Sequence, residues 1–263
     1  MQSVLIGAAA VLVVGAQFVP GHEQSGPVFN AVQAVVAPAD STAPATAATP
    51  ASGVTAKVAS ALKAMGSAVK QLSHPKALDD AFGAYFAYRT QHPDDVKKPY
   101  LYYVDYGLSS TTPRGYVFDM DQLKVVDGPF MVAHGRGSSA SHYGVPTKFS
   151  NGSGSAMTSL GLYLTQALYS FTGHTGGGAY SSIGLRLNGV SKGFNDKAFA
   201  RGVVAHGAPY VTPTGAGRSE GCPAMEPARA QKLLPKLANG AMVFLFAPNQ
   251  DWMNNDPWVA AAN

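Results

Sequence analysis

Residues 201–225 read RGVVAHGAPYVTPTGAGRSEGCPAM. A β-branched run, RGVVAHG, ends in His206-Gly207; turn-rich text comes next, and then Cys222, the single cysteine of a 263-residue chain, set between Gly221 and Pro223. Short apolar runs broken by Gly, Pro, Ser and Asp predict strands joined by tight turns. The stretch also carries chemistry. An unperturbed thiol is mostly protonated at neutral pH and needs a base to become a nucleophile. An imidazole with an ordinary pKa near ~6.5 can take that proton and later give one to a leaving amine. Gly221 lets the backbone approach a substrate with no Cβ in the way. Its amide and that of Cys222 are candidate donors to a developing oxyanion, each worth roughly 3 kcal/mol in comparable sites.

The same strand-and-turn texture extends in both directions. After Pro99 come YLYYVDYG, GYVFDM, KVVDG and FMVAHG, and later GLYLTQALYSF, IGLRLNGV and AMVFLFAP, up to Pro248. These predict a mostly β body with helical additions. The convincing late helix is EPARAQKLLPKL, starting near Glu226. Before the body, Val54, Val58, Leu62, Met65, Val69 and Leu72 recur at steps of three or four, which predicts one helical face over Val54 to Leu72. PKALDDAFGAYFAYRTQ predicts a second helix, with Pro75 in its first turn and His92-Pro93 after its end. Both helices are expected to dock on the β body.

Charged residues are only 13% of the chain and the net charge is +4, without the basic run that tracks a phosphate backbone, so nucleic acid is not an expected partner. Val4 to Ala16 form an apolar block too short to span a bilayer but suited to an export signal, although no Lys or Arg precedes it. Gly15-Ala16 offers a small-residue cleavage site; an uncleaved membrane tether is the other reading. Residues 31–53, AVQAVVAPADSTAPATAATPASG, are an Ala/Pro/Thr/Ser tract without aromatic residues and read as a linker. The expected organisation is a signal-like or anchor segment at 1–30, a linker at 31–53, a helical extension at 54–99 and a catalytic domain at 100–263. One cysteine cannot close an internal disulfide, so in an exported chain Cys222 is either inert and buried or a working thiol.

Blander readings compete at each position. A lone cysteine is most often buried and inert, and His206 without Cys222 would read as a core histidine. VAHGRGSS repeats the His-Gly strand end at His134, which is expected to pack or hydrogen-bond locally. His142 and His174 lie in Gly/Ser-rich text, and no histidine pair has a recognised metal-ligand spacing, so neither metal nor other cofactor is expected. GHTGGGAYSS lacks the ending of a phosphate loop and reads as a turn. Arg186 and Asn188 fall on one face of a strand, lining a cleft or merely half-exposed. Tyr163 and Tyr210 read as packing residues.

HGAPYV followed by GRSEGCPAM resembles the catalytic signature of the L,D-transpeptidase family, in particular its murein L,D-transpeptidase catalytic-domain branch. VAHGRGSS, KFSNGSGSAMTSLGLYLT and LRLNGVSKGFNDKAFARGVVAHGAPYV resemble the same branch, so the likeness covers roughly Tyr100 to Pro248. It implies a β-sandwich or β-roll with added helices. It implies Cys222 as nucleophile, His206 as base, the Gly207 carbonyl as the group orienting the imidazole, and Ser219 and Gly221 as shaping the oxyanion turn. The implied reaction is acyl transfer on peptidoglycan stem peptides through a thioester, by an exported, cell-envelope or periplasmic monomer. Two positions depart from the commoner pattern: Glu220 stands where a second histidine is usual, and Ala224 where an Arg or Asn is usual. Arg218 is the candidate replacement cation, for a substrate carboxylate or for the thiolate. The departures keep two alternatives open: hydrolysis of the thioester, as an L,D-carboxypeptidase or endopeptidase, and a module that binds peptidoglycan without catalysis.

Overall fold

A computed structural model describes residues 50–261. The export segment and nearly all of the linker lie outside the described residues. Among the described residues no helix is long and apolar enough to cross a membrane.

The chain opens with α1 (Pro50–Met65), a 3₁₀ turn (Gly66–Ala68) and α2 (Ala77–Gln91). Twelve strands come after them: β1 (Tyr100–Asp105), β2 (Gly115–Asp119), β3 (Lys124–Phe130), β4 (His134–Gly135), β5 (Gly161–Thr175), β6 (Gly178–Gly189), β7 (Val204–Gly207), β8 (Val211–Thr212), β9 (Gly215–Ala216), β10 (Arg218–Ser219), β11 (Ala224–Met225) and β12 (Met242–Phe246). Helix α3 (Pro227–Leu237) lies between β11 and β12, and α4 (Gln250–Asn255) and α5 (Pro257–Ala260) come after β12. Eight strands make one sheet in the order β11-β7-β6-β5-β12-β1-β2-β3, while β10 pairs with β4 and β8 with β9. The architecture is mostly β with added helices, in line with the sequence reading.

The central position of β12 reflects its composition. MVFLF is apolar at every position, and all five residues are buried, as a strand covered on both faces requires. It runs parallel to β1, in register Leu101 with Met242, and antiparallel to β5. The hairpin of β5 and β6 is half core and half projection. Leu162, Tyr163, Leu185 and Leu187 are buried, whereas beyond Leu168 the side chains alternate with solvent. A bulge between Thr165 and Leu168 marks the change. Thr165 Oγ1 holds it, donating to Leu237 O (2.7 Å) and accepting from Ala241 N (2.9 Å). The GHTGGGAYSS stretch is the tip of this hairpin, a turn as expected.

The two N-terminal helices share the core of the sheet. Val54, Val58, Met65, Phe82 and Tyr85 are buried in one cluster with β1, β2 and β12. The Asp105 carboxylate ties down the segment between the helices, accepting from Ser73 N (2.8 Å) and Ser73 Oγ (2.5 Å). Periodicity alone extends the first helix to Leu72, but α1 stops at Met65 and begins at Pro50. Val69 is still buried although it is not helical, because an extended segment can reach the same apolar surface. The sequence reading assigned no element to α4 and α5. They are built by local caps: Asn249 Oδ1 accepts from Trp252 N, and Asp256 accepts from Trp258 N and from the buried Trp252 indole (2.8 Å).

Candidate active site

Strand β7 lies between β6 and β11 and carries His206. In register, His206 faces Gly184 on β6 and Ala224 on β11, and its amide donates to Pro223 O (3.3 Å). Cys222 lies two residues before β11, and Val204, which opens β7, donates its amide to the sulfur (3.5 Å). The contact with Val204 thus holds the sulfur at the start of the strand that carries the imidazole two residues further on. The sequence left them sixteen residues apart; the pairing of β11 with β7 and the contact of the sulfur with Val204 bring their segments together.

The imidazole is buried under aromatic rings, edge-on to Phe171 (5.4 Å between centroids) and Tyr210 (6.5 Å). Its Nδ1 is 3.1 Å from the Gly207 carbonyl, which can only accept. The proton therefore sits on Nδ1, and Nε2 is left as the basic nitrogen. Gly207 is required there because a Cβ would stand 2.9 Å from Ala230 of α3. Burial lowers the His206 pKa, and the Gly207 hydrogen bond opposes this. Burial also raises the Cys222 thiol, with the Val204 amide and Arg201 acting against it and Glu220 with it. Burial thus works against the charged form of both groups.

Ser219 and Gly221 shape the turn before the thiol. Ser219 Oγ donates to Cys222 O (2.7 Å) and accepts from Gly221 N (3.1 Å). The Gly221 amide is thereby committed to Ser219. Gly221 has φ 127°, and a Cβ would meet Met157 O at 2.9 Å. Gly221→Ala is therefore expected to cost about 1–3 kcal/mol and to slow alkylation of Cys222, measured by urea unfolding and by mass. Unchanged values for both would mean that the turn relaxes freely.

Arg218 lies on β10. Its Nη1 donates to Ser139 O (3.2 Å), and its charge acts on His134, not on the thiol. The alternation along β10 sends it toward the 136–147 loop. The cation that acts on the sulfur is Arg201, which the sequence reading missed. Written as KAFARG before a strand, it reads as an ordinary turn residue. Arg201, Glu220 and Cys222 line one cleft of about 420 Å³ with Ser153 and Gly154. His206 lies outside its walls, beneath Phe171. A larger cavity of about 780 Å³, between α1, α2 and the β2–β3 turn, holds neither residue. Of the departing positions, Glu220 accepts from Arg136 Nε (2.7 Å), and Ala224 is fully buried on β11 among small apolar neighbours. Arg186 is exposed and stacks on Tyr169 (4.5 Å), and Tyr163 is buried.

His134 packs beneath this turn. Its Nδ1 lies 2.9 Å from Ser110 Oγ and 3.0 Å from Arg114 Nη2, so it accepts there and its proton sits on Nε2. Burial and then the Arg114 charge push its pKa down to about 3. In the unfolded chain the value is about 6.5. Between these values the unfolded chain holds a proton that the folded one lacks, so this contribution to stability is complete above about pH 6.5 and is lost as pH falls toward about 3. The melting midpoint is expected to fall over that window, and less steeply in His134→Gln; equal slopes would exclude this origin.

A sequence model of the L,D-transpeptidase catalytic domain matches residues 70–246. The chain belongs to that family. Solved L,D-transpeptidase structures also resemble it. One from Mycobacterium smegmatis is 15% identical over 57% of this chain and 59% of that one, with a TM-score of 0.35. Another, from Stackebrandtia nassauensis, is 18% identical over 74% and 78%, with a TM-score of 0.35. A third, from Mycobacterium tuberculosis, is 16% identical over 56% and 57%, with a TM-score of 0.32. The chain thus spans less than two thirds of the length of the first of these. No curated protein matches it in sequence. Membership of the L,D-transpeptidase catalytic-domain family rests on the match over residues 70–246, which takes in α2 and every strand.

Proposed function

We propose that the chain is a cysteine-dependent acyl transferase acting on peptidoglycan stem peptides at the cell envelope. One observation supports this reading: the Cys222 sulfur, on a cleft, accepts from Val204 at the start of the strand that carries His206, whose imidazole Nδ1 is tied to Gly207 O. Substrate entering the cleft displaces water and brings a carbonyl to the sulfur. The thiol proton passes to His206 Nε2 as the S–C bond forms. The Cys222 amide faces the developing oxyanion. Collapse breaks the C–N bond, and His206 returns the proton to the leaving amine of the terminal D-alanine. An acceptor amine then attacks the thioester, gives its proton to His206, and the thiolate leaves and is reprotonated.

Incubation of the protein with a tetrapeptide muropeptide tests the reading. A cross-linked dimer supports transfer, and tripeptide without dimer assigns hydrolysis. Burial, which works against the charged form of both groups, favours a third reading, a module that binds without catalysis. That outcome requires no product from the muropeptide and Cys222 labelling that is slow and unchanged in His206→Ala.

A further inference from the structure

Arg201 precedes β7 and reaches across to the 150–159 loop. Its Nη1 donates to Ser150 O (2.9 Å) and Ser159 Oγ (3.2 Å), and its Nη2 donates to Met157 O (2.9 Å) and Ser155 Oγ (3.3 Å). All four acceptors are neutral. Among the described residues no carboxylate forms an ion pair with it. A guanidinium held by neutral groups is fixed in place yet keeps its full charge. Four of its five N–H groups are already used, so little remains to clamp a substrate carboxylate. What it offers the cleft is its field. Arg201 and Cys222 line the same cleft, and Nη2 lies 3.7 Å from where a Cβ would stand on Gly221, the residue before the thiol.

The other groups around the sulfur do not replace it. Glu220 opposes it, but is exposed and paired with Arg136. On the sheet side burial works against the charged form of His206, and Arg186 of β6 is exposed and stacked on Tyr169. The phenols of Tyr106, Tyr163, Tyr169, Tyr180 and Tyr210 all feel the charge of Cys222, and burial keeps each protonated above its ordinary range. We propose that Arg201 is a positioning residue that stabilises the Cys222 thiolate, with its charge set beside the sulfur by the 150–159 loop, so that this loop tunes the reactivity of the thiol. The proton released goes to His206. The proposal rests on the reading that Cys222 reacts as a thiolate.

The test measures iodoacetamide alkylation of Cys222 against pH in the full chain, read by intact mass, for the wild type, Arg201→Gln and Arg201→Lys. In Arg201→Gln the midpoint is expected to rise by about one pH unit, making alkylation at pH 7 about tenfold slower. Arg201→Lys keeps the charge but not the planar fork, and is expected to retain more than half of the effect. If Arg201 merely clamps the loop, the two variants behave alike and the midpoint stays in place; that result overturns the proposal. Should Arg201→Gln fail to fold, Glu220→Gln keeps Arg201 and removes the opposing surface charge. Its midpoint is expected to rise when KCl goes from about 0.05 M to about 1 M, because salt screens the remaining attraction, and a salt-independent midpoint overturns the proposal. A shifted midpoint with no product from muropeptide would uphold Arg201 and sink the transferase reading. Cys222-dependent product with an unmoved midpoint would do the reverse.

Discussion

Replacing Cys222 with serine is expected to lower turnover of a stem tetrapeptide by at least about 1,000-fold, while the melting midpoint stays within about 2 °C. Both halves rest on the local geometry. Burial already lowers the basicity of His206, and an alcohol is far harder to deprotonate than a thiol, so the proton transfer that starts the reaction becomes strongly uphill. The fold loses little, since the sulfur accepts a single long hydrogen bond from Val204 N at 3.5 Å. Product analysis by mass together with a thermal melt checks the pair of outcomes. Retained turnover in Cys222→Ser would remove the sulfur from the chemistry and, with it, the proposed role of Arg201.

Arg114→Met is expected to cost about 3–5 kcal/mol in urea unfolding at pH 7, the largest single stability loss we anticipate outside the apolar core. The Arg114 side chain is fully buried, and burial pulls its pKa down to about 10, still leaving it charged at neutral pH. The guanidinium donates to Leu108 O (2.5 Å), twice to Val132 O (3.1 and 2.8 Å), to Ser110 Oγ (3.2 Å) and to His134 Nδ1 (3.0 Å), above the face of Tyr106. Methionine fills similar space but strands those acceptors without water. The effect should reach the site, because Val132 leads into Ala133, whose amide donates to Ala224 O (2.8 Å) and whose carbonyl accepts from Tyr106 OH (2.9 Å). Cys222 labelling should slow in the same variant. A cost below about 1 kcal/mol would show that solvent reaches these groups.

Legibility differed by the range of the interactions concerned. MVFLF, YLYYVD and GYVFD declare strands because propensity and hydrophobic pattern act between near neighbours, and PARAQKLLPKL declares α3 in the same way, with Pro227 at its start. The strand that carries His206 was also readable, from its β-branched run ending at a glycine. Arg201 was not. Its four acceptors lie 42 to 51 residues earlier in the chain, in serine-rich text that looks like any surface loop. Arg114 was hidden in the same way, written in SSTTPRG as if it belonged to an exposed turn. The loss of the Gly221 amide to Ser219 turns on how a single turn closes, which a residue pattern does not specify.

By itself, the chain order determined the strands, the late helix, two helices that dock on the sheet, and a thiol sixteen residues after an imidazole. Local backbone preferences and the burial of apolar side chains suffice for these, since each depends on residues a few positions apart. Only the tertiary structure decided that β1 lies beside β12, that Arg218 reaches Ser139 O, and that Arg201 lines one cleft with Cys222. A charge acts through space on whatever folding brings near it, and that proximity is set by the pairing of distant strands and the closure of loops, not by position along the chain.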